Sequence, residues 1–175
     1  MDSAKIAFRP VVASDLPVLR EWMARPHWQE WWGKPDEEIG FIQDMLEGRD
    51  STLPFLILID GQAAGYIQVW FIADNRREPW LSRAPWLLEL EDRAVGVDIS
   101  LAEGSQLGKG LGSAAVSSFV KMLRDQGYDA IWIDPAPENH RAIRAYEKAG
   151  FRAHTAFQER YTDCLLMRHE LTQQA

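Results

Sequence analysis

The chain has 175 residues, 46% hydrophobic and 26% charged, with a formal net charge of −7 and a single cysteine. That length suffices for one domain with a proper core, and no apolar run reaches the roughly 18 residues of a membrane span. The acidic balance disfavours nucleic acid as a partner and suits a cationic small molecule. Cys164 alone excludes an internal disulfide.

The N-terminal Met1-Asp2-Ser3-Ala4-Lys5 carries no apolar stretch, so neither a secretory signal nor a membrane partner is expected, and the predicted location is cytoplasmic. Residues 1–175 read as a single domain, since no linker, repeat or low-complexity tract interrupts them. Ile6 to Arg9 predicts a first strand. Ser14 is the expected N-cap of a helix whose face is Leu16, Leu19, Trp22 and Met23. A tryptophan-dense loop, Arg25 to Pro35, leads into a second helix marked by Ile39, Ile42, Met45 and Leu46. Phe55 to Ile59 and Ala64 to Phe71 read as strands joined at Asp60-Gly61, a pair suited to a tight hairpin. Residues 73–92 read as a long irregular connection, a common place for function.

Strands are expected at 94–101 and 130–133, a helix from 113 carrying Ala115, Val116, Phe119, Val120 and Leu123, and another at 139–149 closed by Gly150. Arg152 to Phe157 and Asp163 to His169 read as closing strands, with Cys164 a small hydrophobe in the last, and 171–175 as a tail. The order is that of an α/β protein around a mixed sheet.

The chain is organised around 105–151. Ser105-Gln106-Leu107-Gly108-Lys109-Gly110-Leu111-Gly112 is a glycine-rich turn ending at a helix N-terminus, where free amides and the dipole favour a diphosphate. It is not a Walker A loop, because no Gly-Lys-Ser/Thr stands at the required spacing. Nor does Gly108-x-Gly110-x-Gly112 have the spacing of a dinucleotide fingerprint. Standing alone, such a turn is equally well a plain structural one.

Asn139-x-x-Ala142-x-x-x-Tyr146-x-x-x-Gly150-Phe151 follows it. Together the two segments resemble the acetyl-CoA site of the GNAT N-acetyltransferases. Gly96-Val97-Asp98, Asp134-Pro135-x-Pro137, Glu30-Trp31-Trp32-Gly33 and Gly65-Tyr66-x-Gln68 look more narrowly like the aminoglycoside 6′-N-acetyltransferases. The resemblance covers most of residues 5–170. It departs at Leu107, where the family usually has Gln or Arg; Gln106 stands one place earlier.

The resemblance implies a GNAT fold in which splayed parallel strands flank the pantetheine, with acetyl-CoA as co-substrate and direct attack by a primary amine in a ternary complex. On the donor side it implies backbone contacts at Ile99, Leu101, Leu107, Gly108, Lys109, Gly110, Leu111, Gly112 and Ser113, and pantetheine contacts at Asn139 and Ala142. An amine at neutral pH is almost wholly protonated, and a carboxylate can hold the ammonium and accept its proton, directly or through water. Asp98 is the candidate acceptor, Asp134 an ammonium anchor, and Tyr146 the acid facing the leaving sulfur. A thiolate leaves easily, so Tyr146 contributes modestly. Amides near Ile99 to Leu101 suit an oxyanion. Trp31, Trp32 and Trp70 are candidates for an acceptor wall, aromatic faces covering a sugar ring and its ammonium groups, and Trp32, Trp70, Gln68, Asp98 and Asp134 form the expected acceptor site. Trp22, Trp28 and Trp132 read as core.

Plainer readings stand beside these. Asp134 before Pro135 suits a turn, Asp98 an edge strand, Tyr146 a helix core and Glu103 a solvated loop. The four histidines have no metal-ligand spacing, so no metal is predicted. Three functional classes remain: an aminoglycoside acetyltransferase; the same chemistry on a polyamine, siderophore precursor or protein N-terminus; or a CoA-binding sensor without turnover. Related siderophore enzymes carry His where Asp98 stands. Monomer and homodimer are both open.

Overall fold

Apolar runs and turn chemistry build the first strands. The computed structural model describes residues 3–171. Its strands are β1 (Ile6–Pro10), β2 (Leu53–Ile59), β3 (Gln62–Phe71), β4 (Val95–Leu101), β5 (Ile131–Ile133), β6 (Phe151–Ala153) and β7 (Met167–His169). They form one sheet in the order β1-β2-β3-β4-β5-β7-β6. The pairs β1–β2, β2–β3, β5–β7 and β6–β7 are antiparallel, while β4–β5 is parallel, pairing Val95 with Ile131 and Gly96 with Trp132. The α-helices are α1 (Leu16–Met23), α2 (Pro26–Gln29), α3 (Pro35–Leu46), α4 (Trp80–Arg83), α5 (Leu111–Asp125), α6 (His140–Lys148) and α7 (Thr155–Gln158). This is the mixed α/β architecture expected.

The β2–β3 hairpin turns at Asp60 and Gly61, with φ of 50° and 81°. Two successive positive φ angles match the twist of the flanking strands, and glycine meets the second without strain. Helix α3 begins at Pro35, whose fixed φ suits a first helical position. The buried face of α5 is Ala115, Val116, Phe119, Val120 and Leu123, the set its spacing predicts.

Two compact units divide the described chain, residues 3–69 with 98–112 and residues 70–97 with 113–171. In the first, Leu19, Trp22 and Met23 of α1, Trp28 of α2, and Ile39 and Ile42 of α3 pack with Leu56 and Tyr66. In the second, Ile72, Trp86, Leu87, Leu90, Ala94, Trp132, Phe157 and Leu166 form the cluster. Trp22, Trp28 and Trp132 are core residues, as expected.

Several expectations need correction. Ser14 does not cap a helix: a 3-10 turn spans Ala13–Asp15, and the Asp15 carboxylate accepts the Val12 N–H at 2.8 Å and both Arg9 guanidinium nitrogens at 2.9 Å. The Arg9 hydrogen bond holds the Asp15 carboxyl below its usual range. Residues 73–92 are not wholly irregular; they contain two 3-10 turns, Ala73–Asn75 and Pro85–Leu88, and α4. Residues 152–157 are not one strand. β6 ends at Ala153 because Phe157 turns back to bury itself beside Trp132, ring centroids 6.0 Å apart, which winds α7. The last strand begins only at Met167, so Cys164 lies in a bend, half-buried. Of the expected tail, residues 172–175 lie outside the described residues.

Candidate active site

The glycine turn leaves β4 through Ala102 and Glu103, passes a 3-10 turn at Gly104–Gln106, and enters α5 at Leu111. Gly108 and Gly110 have φ of 76° and 81°, a conformation that side chains resist. Gly112 differs. Its φ is not positive, and a Cβ there would meet nothing within 4 Å. Neither strain nor crowding within the chain requires glycine at 112, so its open side is available to a group from outside. Beside this turn, Gln106 Oε1 is buried without a hydrogen-bond partner. A buried acceptor left unpaired costs free energy unless a donor reaches it. The Leu107 N–H is not offered to a ligand, since it donates to the Gly104 carbonyl at 3.1 Å. A turn that runs on into the first amides of α5, with an orphaned acceptor beside it, fits a diphosphate ligand carrying N–H groups. Leu107, Lys109 and Ser113 take their expected places along this turn and the start of α5.

In the same unit a hydrogen-bonded relay reaches Asp98. Tyr66 O–H donates to Gln68 Oε1 at 2.6 Å, and Gln68 Nε2–H donates to Asp98 Oδ2 at 2.8 Å. Tyr66 and Gln68 share a face of β3 because strand side chains alternate. The relay fixes the Asp98 carboxylate in one orientation. Trp32 flanks it, its ring 5.9 Å from Tyr66 edge-on and 5.1 Å from Trp28. Burial drives the Tyr66 hydroxyl pKa well above its usual value, and the charges of Asp98, Glu38 and Asp50 add to that. Tyr66 therefore stays protonated and acts as a donor.

The role of Tyr66 was not foreseen, although its i, i+2 spacing from Gln68 was legible. Glu38 was also missed. Its Oε1 accepts the Gly33 N–H at 3.0 Å, which folds the end of the tryptophan loop onto α3. Burial pushes the Glu38 carboxyl up against the pull of that N–H, and Asp98 and Glu37 push it further. Glu103 is not simply solvated: Arg25 Nη1–H donates to its Oε1 at 2.6 Å.

The second unit holds the other expected residues. Asn139 caps α6, its Oδ1 accepting the Ala142 N–H at 3.2 Å. Tyr146 lies on the buried side of α6, its ring 6.3 Å from Phe151. Asp134 follows β5, and its charge, after burial, helps push the Cys164 thiol up to about 12. That thiol is no nucleophile at neutral pH. Trp70 is half-buried beside Trp86, ring centroids 6.4 Å apart, and lies directly over Gly96. Ile99 and Leu101 lie in β4, with the Leu101 side chain buried. Among the described residues no three His, Cys, Asp or Glu side chains gather as metal ligands, and no helix is long and apolar enough to cross a membrane.

The chain matches the acetyltransferase (GNAT) domain over residues 11–159. It is 36% identical over 154 residues to the aminoglycoside N(6′)-acetyltransferase type 1 of Klebsiella pneumoniae, covering 83% of this chain and 73% of that protein. Among solved structures it resembles the acetyltransferase AAC(6′)-Ib with paromomycin and acetyl-CoA, at a TM-score of 0.80, 30% identity and 98% coverage of both chains. The same enzyme with coenzyme A and kanamycin superposes at a TM-score of 0.77, with 31% identity, 97% coverage of this chain and 96% of that one.

Proposed function

This chain belongs to the GNAT acetyltransferases, and we propose that it transfers the acetyl group of acetyl-CoA to the 6′-amine of an aminoglycoside. The observation that carries the reading is the Asp98 carboxylate held by the Tyr66–Gln68 relay, with the Trp32 ring edge-on to Tyr66 at 5.9 Å. The kanamycin- and paromomycin-bound relatives support the choice of acceptor.

Acetyl-CoA enters as a substrate. Its diphosphate is held by amides from Gly108 to Gly112 and by the N-terminus of α5, with the open face of Gly112 leaving room. Asn139 spends its side-chain oxygen on the α6 cap, so its remaining donor is what it offers the pantetheine. The aminosugar ring lies against Trp32, and Asp134 anchors a second ammonium group. Asp98 takes the proton of the 6′-ammonium. The neutral nitrogen then forms its bond to the thioester carbonyl carbon, the carbon–sulfur bond breaks, the nitrogen gives its second proton to solvent, and the thiolate takes a proton from Tyr146, which solvent reprotonates. The products are the 6′-N-acetyl aminoglycoside and free coenzyme A. Because Gln68 donates to Asp98, it holds the carboxylate in the acceptor orientation before substrate arrives.

Free-thiol release from acetyl-CoA with kanamycin tests the reading, with the product's acetylation site read by NMR. Asp98→Asn keeps the shape but loses the proton acceptor. It is expected to lower kcat by about 10²- to 10⁴-fold while the dissociation constant of acetyl-CoA stays within about twofold. Full activity of the variant would remove Asp98 from the mechanism. Thiol release with spermidine or a peptide but not with kanamycin would remove the aminoglycoside.

A further inference from the structure

The carbonyl end of β4 is held by donors that come from one short stretch. His27 Nε2 lies 2.8 Å from the Leu101 carbonyl oxygen, and Trp28 Nε1–H donates to the same oxygen at 3.0 Å. Arg25 Nη1–H donates to the Ala102 carbonyl at 2.7 Å and to Glu103 Oε1 at 2.6 Å, while Nη2–H reaches Glu21 Oε1 at 3.1 Å. The Ala102 N–H in turn donates to the Ala64 carbonyl at 2.8 Å. A Cβ on Gly104 would come within 3.4 Å of His27 Nδ1. Three successive residues, 101 to 103, are thus fixed from Arg25, His27 and Trp28.

The sequence makes this possible locally. Arg25 is extended, with φ −72° and ψ 146°, and Pro26 starts the single turn of α2. That turn delivers His27 and Trp28 together, while Arg25 reaches the next carbonyl along.

A strand leading to a surface turn needs no such fastening, because water satisfies its last carbonyls. Here both lone pairs of the Leu101 carbonyl are used by side chains, and a guanidinium is drawn partly out of water to hold the next residue. The fastened residues stand immediately before Gly104–Gln106 and the glycine turn. We infer that Arg25, His27 and Trp28 are positioning residues that set the exit of β4, and through it aim the glycine-turn amides at the diphosphate of acetyl-CoA. The inference rests on the acetyl-CoA reading above. None of the three touches the substrate; they act through the backbone they hold.

Titration of coenzyme A into the full chain by calorimetry tests it, with thermal unfolding measured alongside. Trp28 is fully buried in the core, so its replacement would report on folding alone. His27→Ala is expected to weaken coenzyme A by roughly five- to tenfold, the loss of one hydrogen bond on a loaded carbonyl. His27→Gln places an amide N–H near the Nε2 position and is expected to recover most of that loss. The acceptor KM and kcat at saturating acetyl-CoA stay within about twofold of wild type, a split that a general loosening of the fold would not produce. A folded His27→Ala variant that binds coenzyme A as wild type does would overturn the inference. If that variant fails to fold, Arg25→Ala decides by the same titration: weaker binding supports the inference and unchanged binding overturns it. A wild-type chain with no affinity for coenzyme A would instead sink the acetyl-CoA reading itself.

Discussion

Glu38 shows how one residue ties the tryptophan loop to α3 and answers to the charge of Asp98. It stands on α3, accepts the Gly33 N–H, and feels both burial and the Asp98 charge, so its carboxyl is raised above the ordinary value of 4.5. A carboxyl whose folded pKa is raised contributes stability below its unfolded value and loses that contribution as pH rises through the folded one. At neutral pH the charge is therefore carried at a cost. Glu38→Gln keeps an oxygen for the Gly33 N–H and removes the charge. The variant is expected to melt above wild type at pH 7, with the gap closing as the pH falls towards the ordinary carboxyl range. Calorimetric scans across that range check it, and a wild type that melts higher at pH 7 would show that the Glu38 charge is stabilising. As one of the run Asp36-Glu37-Glu38, Glu38 stands with its neighbours in the first turn of α3, where negative charge is favoured. What singles it out is the reach back to Gly33, which no periodicity reveals.

At the scale of elements, the glycine of Gly96-Val97-Asp98 finds its reason in packing. The Trp70 ring lies where a Cβ on Gly96 would stand, and Trp70 is braced by Trp86. Gly96→Ala must push that indole aside, at an expected cost of about 1–3 kcal/mol read from urea unfolding. Trp70→Leu in the same chain should recover part of that loss, since it clears the ring. An alanine variant as stable as wild type would mean that the indole moves freely. The motif was legible in the sequence, but its partner lies on another strand, so the reason was not. The same division runs through the fold. α3, α5 and the 60–61 hairpin were readable because periodicity and turn chemistry act locally. α7 was not, because Phe157 turns to meet Trp132, a tertiary contact that overrides the strand-like run 152–157. Ser14 lost its expected cap to Asp15, whose two oxygens serve both Arg9 and the Val12 N–H. In the candidate site, Asp98 and Gln68 were singled out by a motif, whereas Tyr66 joins them only through hydrogen bonds.

For the whole molecule, the net charge of −7 treats the two substrates differently. An aminoglycoside is a polycation, so the summed field attracts it and raises its rate of encounter. Acetyl-CoA is a polyanion that the same field repels; in the mechanism proposed above it is held instead by amides of the glycine turn and the α5 N-terminus, which act at contact distance. Screening therefore separates the two. The Debye length falls from about 30 Å at 0.01 M salt to about 3 Å at 1 M. Over that range kcat/KM for kanamycin is expected to fall by up to about tenfold, while the KM for acetyl-CoA holds or falls slightly as repulsion is screened. Initial rates with each substrate varied at saturating levels of the other measure both trends. If kcat/KM for kanamycin did not change with salt, acceptor capture would rest on short-range contacts alone, such as those proposed at Asp98, Trp32 and Asp134, and the acidity of the chain would play no part in it.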